Sequence, residues 1–104
     1  MFEKDLSLSL LYDLYAPILS RKKRDAFEAY YLSDLSLAEI AEETGTSRQA
    51  VRDLVSRACR ELQEMEKEMG ILRKRKEISD LCDRLLDSLT PEQREIVLQI
   101  REIL

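Results

Sequence analysis

The sequence has 104 residues and a formal net charge of −4, with 37% charged residues and only 2 Gly and 2 Pro. A chain of this length forms one small domain, or one domain with an appendage, and its scarcity of helix breakers predicts an all-α protein with long helices. The acidic balance counts against a strong non-specific nucleic-acid binder, because such proteins are usually basic.

The N-terminal part of the chain predicts two helices. Apolar residues recur at helical spacing through residues 4–18, and Pro17 ends or bends this helix near Tyr15. Ser20 can cap a second helix over residues 21–32. The core-facing side chains of the second helix are Ala26, Phe27, Tyr30 and Tyr31. We expect the aromatic residues to pack in the core rather than to stack on bases.

Residues 36–57 carry the clearest motif in the chain, a helix-turn-helix signal. Ser36 and Glu39 have the spacing of a capping box at the start of the first helix. Gly45 suits the sharp turn because glycine adopts a positive φ without strain. Ser47 can cap the second helix.

Packing between these two helices follows from the same segment. Ala41 lies where crossing helices approach closely and a larger side chain would not fit. We expect Val51 and Leu54 to face the first helix through Ile40. Thr44 and Thr46 stand at positions of the turn that are more often apolar, so the turn is expected to pack less tightly.

The outer face of the second motif helix predicts nucleic-acid binding. Arg and Gln side chains read guanine and adenine edges bidentately, and the first turns of this helix enter the major groove in such motifs. The predicted binding residues are Ser47, Arg48, Gln49, Arg52 and Ser56. Predicted contacts to the nucleic-acid backbone come from Arg21, Lys22, Lys23 and Arg57. The alternative is a solvated, helix-favouring face, on which Asp53 opposes phosphate and pairs with Arg57.

An apolar seam continues along the second motif helix. From Val51 to Leu72 its residues follow alternating steps of four and three, which is an a/d heptad pattern. No stop signal precedes Gly70, which kinks or ends the helix. The seam predicts a homodimer; the competing interpretation is that the N-terminal helix folds back and covers the seam within one chain.

The predicted domain organisation places the N-terminal helices and the motif in residues 1–70, and a C-terminal helical extension in residues 71–104. Arg73 to Lys76 is a cationic run, which we expect to be solvated. Thr90 and Pro91 have the character of a cap and a first helical residue for the last helix. The helix that lies between the cationic run and Thr90 has an apolar face of Ile78, Leu81, Cys82, Leu85 and Leu89.

Several function classes have no support in the sequence. The chain has no His, its two glycines form no phosphate-binding loop, and its 2 Cys are far apart. We therefore predict no enzyme, no metal or other cofactor, and no small-molecule substrate. The unpaired thiols suit a reducing cytosol, and no apolar run reaches the roughly 20 residues of a membrane span. We expect a cytoplasmic protein without a membrane partner, and the acidic start does not fit a signal peptide.

Residues 19–62 resemble region 4 of sigma-70-type factors. The similarity rests on Leu19-Ser20, Arg24, Phe27, Tyr31, Leu35-Ser36, Glu39-Ile40-Ala41 and Ser47-Arg48-Gln49-Ala50-Val51. The last two runs, together with Tyr12 to Leu19 and Tyr30-Tyr31-Leu32, also closely resemble the YlxM family over roughly residues 4–72. That family comprises short bacterial helix-turn-helix proteins associated with the signal recognition particle. Residues 78–104 match no family pattern.

The resemblance implies a helical bundle with a sigma-70 region 4-like helix-turn-helix and a long C-terminal helical extension. It implies a DNA-binding, regulatory role and a part in the signal recognition particle pathway. The alternative is a non-enzymatic interaction module that docks on the RNA or protein of that particle. The basic outer face favours the first interpretation, and the net charge of −4 favours the second.

Overall fold

The computed structural model describes residues 6–104 and confirms the all-α prediction, since these residues contain helices and no strand. The predicted start of the first helix at residue 4 lies outside the described residues. The helices are α1 (Leu6–Tyr15), α2 (Arg21–Phe27), α3 (Leu37–Thr44), α4 (Arg48–Met69), α5 (Ile71–Leu86) and α6 (Pro91–Ile103). Among residues 6–104 there is no helix with the length and apolar character needed to cross a lipid bilayer.

Pro17 ends α1 where the sequence predicts. A single 3-10 turn, Ala16–Ile18, follows the helix, and the Leu19 amide donates to the carbonyl of Ala16 at 3.0 Å. Ser20 then caps α2 by accepting a hydrogen bond from the Lys23 amide at 3.4 Å. Local signals therefore account for both the end of α1 and the start of α2.

The second helix does not remain a regular α-helix to its end. Residues Glu28–Leu32 form a π-helical turn, in which the Ser33 amide donates to the carbonyl of Glu28 at 2.9 Å. In such a widened turn the backbone hydrogen bond joins residues five apart, instead of four apart as in an α-helix. The sequence predicts the extent of this segment but not its widening.

The aromatic side chains pack in the core, as predicted. Phe27 is fully buried, and its ring stacks on Tyr12 and on Tyr31 with ring centroids 4.6 Å apart in both pairs. Burial and a hydrogen bond to the Glu28 carboxylate raise the pKa of Tyr12 to about 12. These rings are committed to the fold and do not form a platform for bases.

The apolar seam of α4 is covered within the chain. Val51, Val55, Ala58 and Leu62 are all buried, and α4 packs against α1, α2 and α3. The N-terminal helix covers part of the seam, as in the competing interpretation, and α2 and α3 cover the rest of these four residues, whereas Met69 at the end of the seam remains 50% exposed. Gly70 ends the helix, one of the two outcomes that the sequence predicts: α4 stops at Met69, and Gly70 takes a left-handed φ of 64°.

The chain divides into two compact units, Met1–Met69 and Gly70–Leu104, which we call the helix-turn-helix unit and the hairpin unit. In the hairpin unit, Thr90 and Gln93 form a capping box at the start of α6. Arg94 Nη1 donates to the carbonyl of Leu86 at 2.9 Å. Cys82 and Val97 are the buried residues of α5 and α6.

Each unit contains one cysteine. Cys59 in α4 is half-buried, its thiol lies 3.7 Å from the Tyr31 hydroxyl, and burial raises its pKa. Cys82 in α5 is buried. Both are free thiols, and they belong to the packing of their own units.

Candidate nucleic-acid interface

The turn between α3 and α4 has the geometry that the sequence predicts. Ser36 and Glu39 form the capping box of α3, with both hydrogen bonds at 3.1 Å. Gly45 ends α3 with a φ of 67°. The Thr46 amide then donates to the carbonyl of Ala41 at 3.0 Å, which fixes the direction in which α4 begins.

The two threonines of the turn satisfy one another. The Thr44 hydroxyl donates to the carbonyl of Ile40 at 2.8 Å, and the hydroxyls of Thr44 and Thr46 lie 2.9 Å apart. Hydrogen bonds thus take the place of apolar packing at these positions. Ile40 and Ala41 remain buried beneath the turn against Val51 and Val55 of α4.

The first turns of α4 present the predicted reading face to solvent. Ser47 caps the helix by accepting a hydrogen bond from the Ala50 amide at 3.0 Å. Arg48, Gln49 and Arg52 are exposed, whereas Val51 between them retains 1% of its surface. Successive positions of an α-helix are rotated by about 100°, so the residues next to Val51 in sequence point away from the buried side. Burial of Val51 therefore holds the polar side chains outward.

Gln49 and Asp53 form a pair on this face. Gln49 Nε2 donates to Asp53 Oδ1 at 3.0 Å, one helical turn along. The sequence suggests a different partner for Asp53, namely Arg57, but the carboxylate accepts from Gln49 instead. The amide of Gln49 is thereby held in one orientation and retains its carbonyl oxygen and one N–H for a ligand.

The remaining predicted contact residues differ in their availability. Arg21, Lys22 and Arg57 are exposed, and Ser56 is half-buried. Lys23 is half-buried, and its Nζ lies 3.0 Å from Glu61 Oε1 of α4. That ion pair ties α2 to α4, so Lys23 is engaged within the fold rather than presented to a ligand.

An apolar groove lies beside the reading face, and the sequence does not predict it. Its volume is about 690 Å³, and it lies between α2, α3 and the first turns of α4. Ala26, Ala29, Ala50 and Leu54 contribute its apolar lining, and Lys22 stands among its polar residues. The small side chains are visible in the sequence, but only the crossing of the three helices turns them into a groove.

Charge is unevenly distributed around the motif. The exposed basic residues of α4 are Arg48, Arg52, Arg57, Arg60 and Lys67. The exposed residues of α3 include Glu39, Glu42 and Glu43, which repel phosphate. The positive charge of α4 is confined to residues 48–60, which contain four arginines against Asp53, because the rest of the helix is rich in glutamate. A polyanion is therefore attracted to the first turns of α4 and not to the whole surface of the motif.

Comparison with known proteins gives one consistent result. The family profile UPF0122, described as "Putative helix-turn-helix protein, YlxM / p13 like", matches residues 2–103. The match includes residues 78–103, so the expectation that residues 78–104 match no family pattern is wrong. The UPF0122 protein of Listeria innocua is 42% identical over 90 residues, which covers 86% of this chain and 82% of that protein. The UPF0122 protein of Geobacillus kaustophilus is 37% identical over 106 aligned positions, which covers 99% of this chain and 96% of that protein. A third similar protein, from Symbiobacterium thermophilum, is 42% identical over 82 residues, which is 79% of this chain and 77% of that protein.

Proposed function

Because the chain belongs to the UPF0122 family of YlxM/p13-like helix-turn-helix proteins, we propose that it binds duplex DNA through the first turns of α4 and acts as a regulatory protein. The observation that carries this proposal is the exposed face of Arg48, Gln49 and Arg52 on a helix whose opposite side is buried. The buried side of α4 holds these three side chains toward solvent.

The chemistry of the face suits the major groove. Arg48 and Arg52 are one turn apart, so both guanidinium groups reach the same side of α4. Each can donate two hydrogen bonds to a guanine, and Gln49 can pair with an adenine. Arg57, Arg21 and Lys22 are exposed and supply contacts to phosphates, which position a protein without reading sequence.

Charge limits the affinity of this interface. The chain has a net charge of −4, so the attraction comes from local arginines rather than from the overall field. The proposed interface has five cations, namely Arg21, Lys22, Arg48, Arg52 and Arg57. The number of phosphate contacts, which determines how steeply affinity falls with salt, is therefore no more than about five. Binding is expected to be weak in physiological salt on mixed DNA and to depend on the sequence of the site.

The test is a salt titration of binding to a short, labelled duplex of mixed sequence, measured by fluorescence anisotropy. We expect log K to fall linearly with log salt, with a slope of about −0.9 for each phosphate contact. The variant R48A/R52A should bind more weakly, by about 1–3 kcal/mol for each arginine that pairs bidentately with a base. Its salt slope should become shallower if these arginines also touch phosphate. Its thermal unfolding should match that of the wild type because both side chains are exposed.

The matched control is R60A/K67A, which removes two exposed charges from later turns of the same helix. It should keep most of the affinity. Wild-type affinity in R48A/R52A would show that α4 does not read nucleic acid. An equal decrease of affinity in both double variants would show that binding depends on the net charge of α4 and not on the positions of Arg48 and Arg52.

A second candidate function is docking on a component of the signal recognition particle. The resemblance to YlxM proteins supports it, and so do the negative net charge and the apolar groove beside α4. The test is a pull-down with the full chain from a native bacterial lysate, with and without nuclease. Release of the captured partner on nuclease treatment supports nucleic-acid binding; capture of a particle protein that resists nuclease supports docking.

A further inference from the structure

The hairpin unit exposes more apolar surface than its own two helices can bury. Apart from Leu98, six large side chains of α5 and α6 remain between 39% and 84% exposed. They are Ile78, Leu81, Leu85, Ile96, Ile100 and Ile103. Scattered exposed residues need no explanation, but a contiguous apolar patch marks an interaction surface.

An ion pair shows that these side chains share one face. On α5, Asp83 lies to one side of the buried Cys82, whereas Ile78, Leu81 and Leu85 lie to the other side. On α6 the charged and the apolar side chains also lie on opposite sides of a buried residue, Val97. Arg101 lies to one side of it.

The apolar residues of α6 occupy the other side, and they are Ile96, Ile100 and Ile103. Because Arg101 Nη1 and Asp83 Oδ1 are 2.8 Å apart, the two charged flanks form one side of the hairpin. The two apolar rows therefore lie together on the opposite side, which we call the apolar face.

Two helices alone make a thin core. In residues 70–104, the buried apolar side chains are one from each helix, Cys82 and Val97. The common stable arrangement of such amphipathic helices is a bundle in which a second pair covers the apolar face. Two copies of one hairpin make such a bundle, because the same face serves both sides of a two-fold interface.

Charge favours a second copy as the occupant. The hairpin unit contains seven basic and seven acidic residues, so two copies meet without net repulsion, whereas residues 1–69 carry the whole charge of −4. At the edge of the apolar face, Glu77 and Arg84 are two helical turns apart on α5, and neither forms an ion pair among residues 6–104. Along α5, Glu77 and Arg84 lie equally far on either side of the midpoint between Asp80 and Leu81. An antiparallel α5 of a second copy, centred there, sets Glu77 of each copy opposite Arg84 of the other.

We propose that the apolar face of α5 and α6 is a homodimer interface, closed as a four-helix bundle with two symmetric Glu77–Arg84 ion pairs. This surface is separate from the α4 seam, which the fold already covers. The inference is independent of the proposed DNA binding, and its test needs no nucleic acid.

The first test is sedimentation equilibrium of the full chain over a wide concentration range. The wild type should show twice the monomer mass of 12.2 kDa. The variant L81K/I100K, which puts two charges into the apolar face, should show the monomer mass with unchanged helical circular dichroism. The matched control is L98K, since Leu98 is 40% exposed on the opposite flank of α6; it should remain dimeric.

The second test changes charge and leaves the apolar side chains in place, so it does not depend on the folding of L81K/I100K. E77R and R84E alone should each weaken the dimer about tenfold, because each replaces two attractions with two repulsions. The double variant E77R/R84E should restore wild-type affinity. A monomer of the wild type at every concentration would overturn the proposal and leave the face to another protein. A dimer that tolerates L81K/I100K, or single charge variants that the double variant does not rescue, would do the same.

Discussion

Asp53 is the one acidic residue on the reading face, and its hydrogen bond with Gln49 gives it two opposing effects. The carboxylate holds the amide that would contact a base, and it also repels phosphate. An asparagine at this position would keep the oxygen that accepts from Gln49 and would remove the charge. Asp53 therefore lets orientation and repulsion be separated experimentally.

We expect D53N to raise the affinity for a mixed-sequence duplex about fivefold at low salt, because a like charge a few ångströms from a phosphate costs roughly 1 kcal/mol in water. D53A should gain similar affinity but should discriminate less between duplexes that differ in adenine content, since Gln49 loses its anchor. Anisotropy titrations on paired duplexes measure both effects. The control is E64Q, an exposed charge later in α4; if E64Q gains as much as D53N, the position of Asp53 has no special role.

Among the helical elements, the turn from α3 to α4 depends most on a single residue. Gly45 has a φ of 67°, and a side chain at this position would meet no atom within 4 Å. The cost of replacing it is therefore backbone strain and not collision. L-residues other than Asn and Asp rarely adopt this conformation.

We expect G45A to lower the free energy of unfolding of the helix-turn-helix unit by about 1–2 kcal/mol. G45N should cost clearly less, because asparagine tolerates the left-handed region. Urea denaturation followed by circular dichroism compares the three proteins. Equal destabilisation in G45A and G45N would point to contacts of the side chain rather than to strain in the turn.

The helix boundaries were predictable where the signals are local. Ser20, Ser36, Ser47 and Thr90 each accept a hydrogen bond from a backbone amide close by, so the sequence alone marks these starts. The π-helical turn at Glu28–Leu32 carries no such local mark, and its buried Tyr30 packs with Ile40 and Val51, which are distant in sequence. Local residues such as Pro17 and Gly45 also mark where α1 and α3 end, whereas the irregular turn of residues 28–32 has no local signal.

The same division applies to the candidate interface. Exposure of Arg48, Gln49 and Arg52 follows from the apolar positions between them, and the structure agrees. The ion pair of Lys23 with Glu61 and the groove between three helices join residues far apart in sequence. Contacts of this kind cannot be predicted from local patterns. The heptad spacing of the seam, for example, predicts that one side of α4 is buried but does not predict which helix covers that side.

For the molecule as a whole, the two proposed surfaces belong to different compact units. The α4 face belongs to residues 1–69 and the apolar face of the hairpin to residues 70–104. A homodimer formed through the apolar face of α5 and α6 would contain two copies of α4. Proteins of this motif class commonly read two half-sites one helical turn apart, so pairing would raise affinity for a repeated site without any new interaction with DNA.

The placement of one cysteine in each unit has a practical consequence. A protected thiol reacts with an alkylating reagent when the surrounding structure opens, so labelling followed by mass spectrometry reads the opening of each unit separately. Raising the protein concentration should slow the labelling of Cys82, because association holds the hairpin closed. The labelling of Cys59 should not change with concentration, since its surroundings are complete within one chain. The two native cysteines are therefore two separate reporters: Cys59 reports the opening of the helix-turn-helix unit, and Cys82 reports the association of two hairpin units.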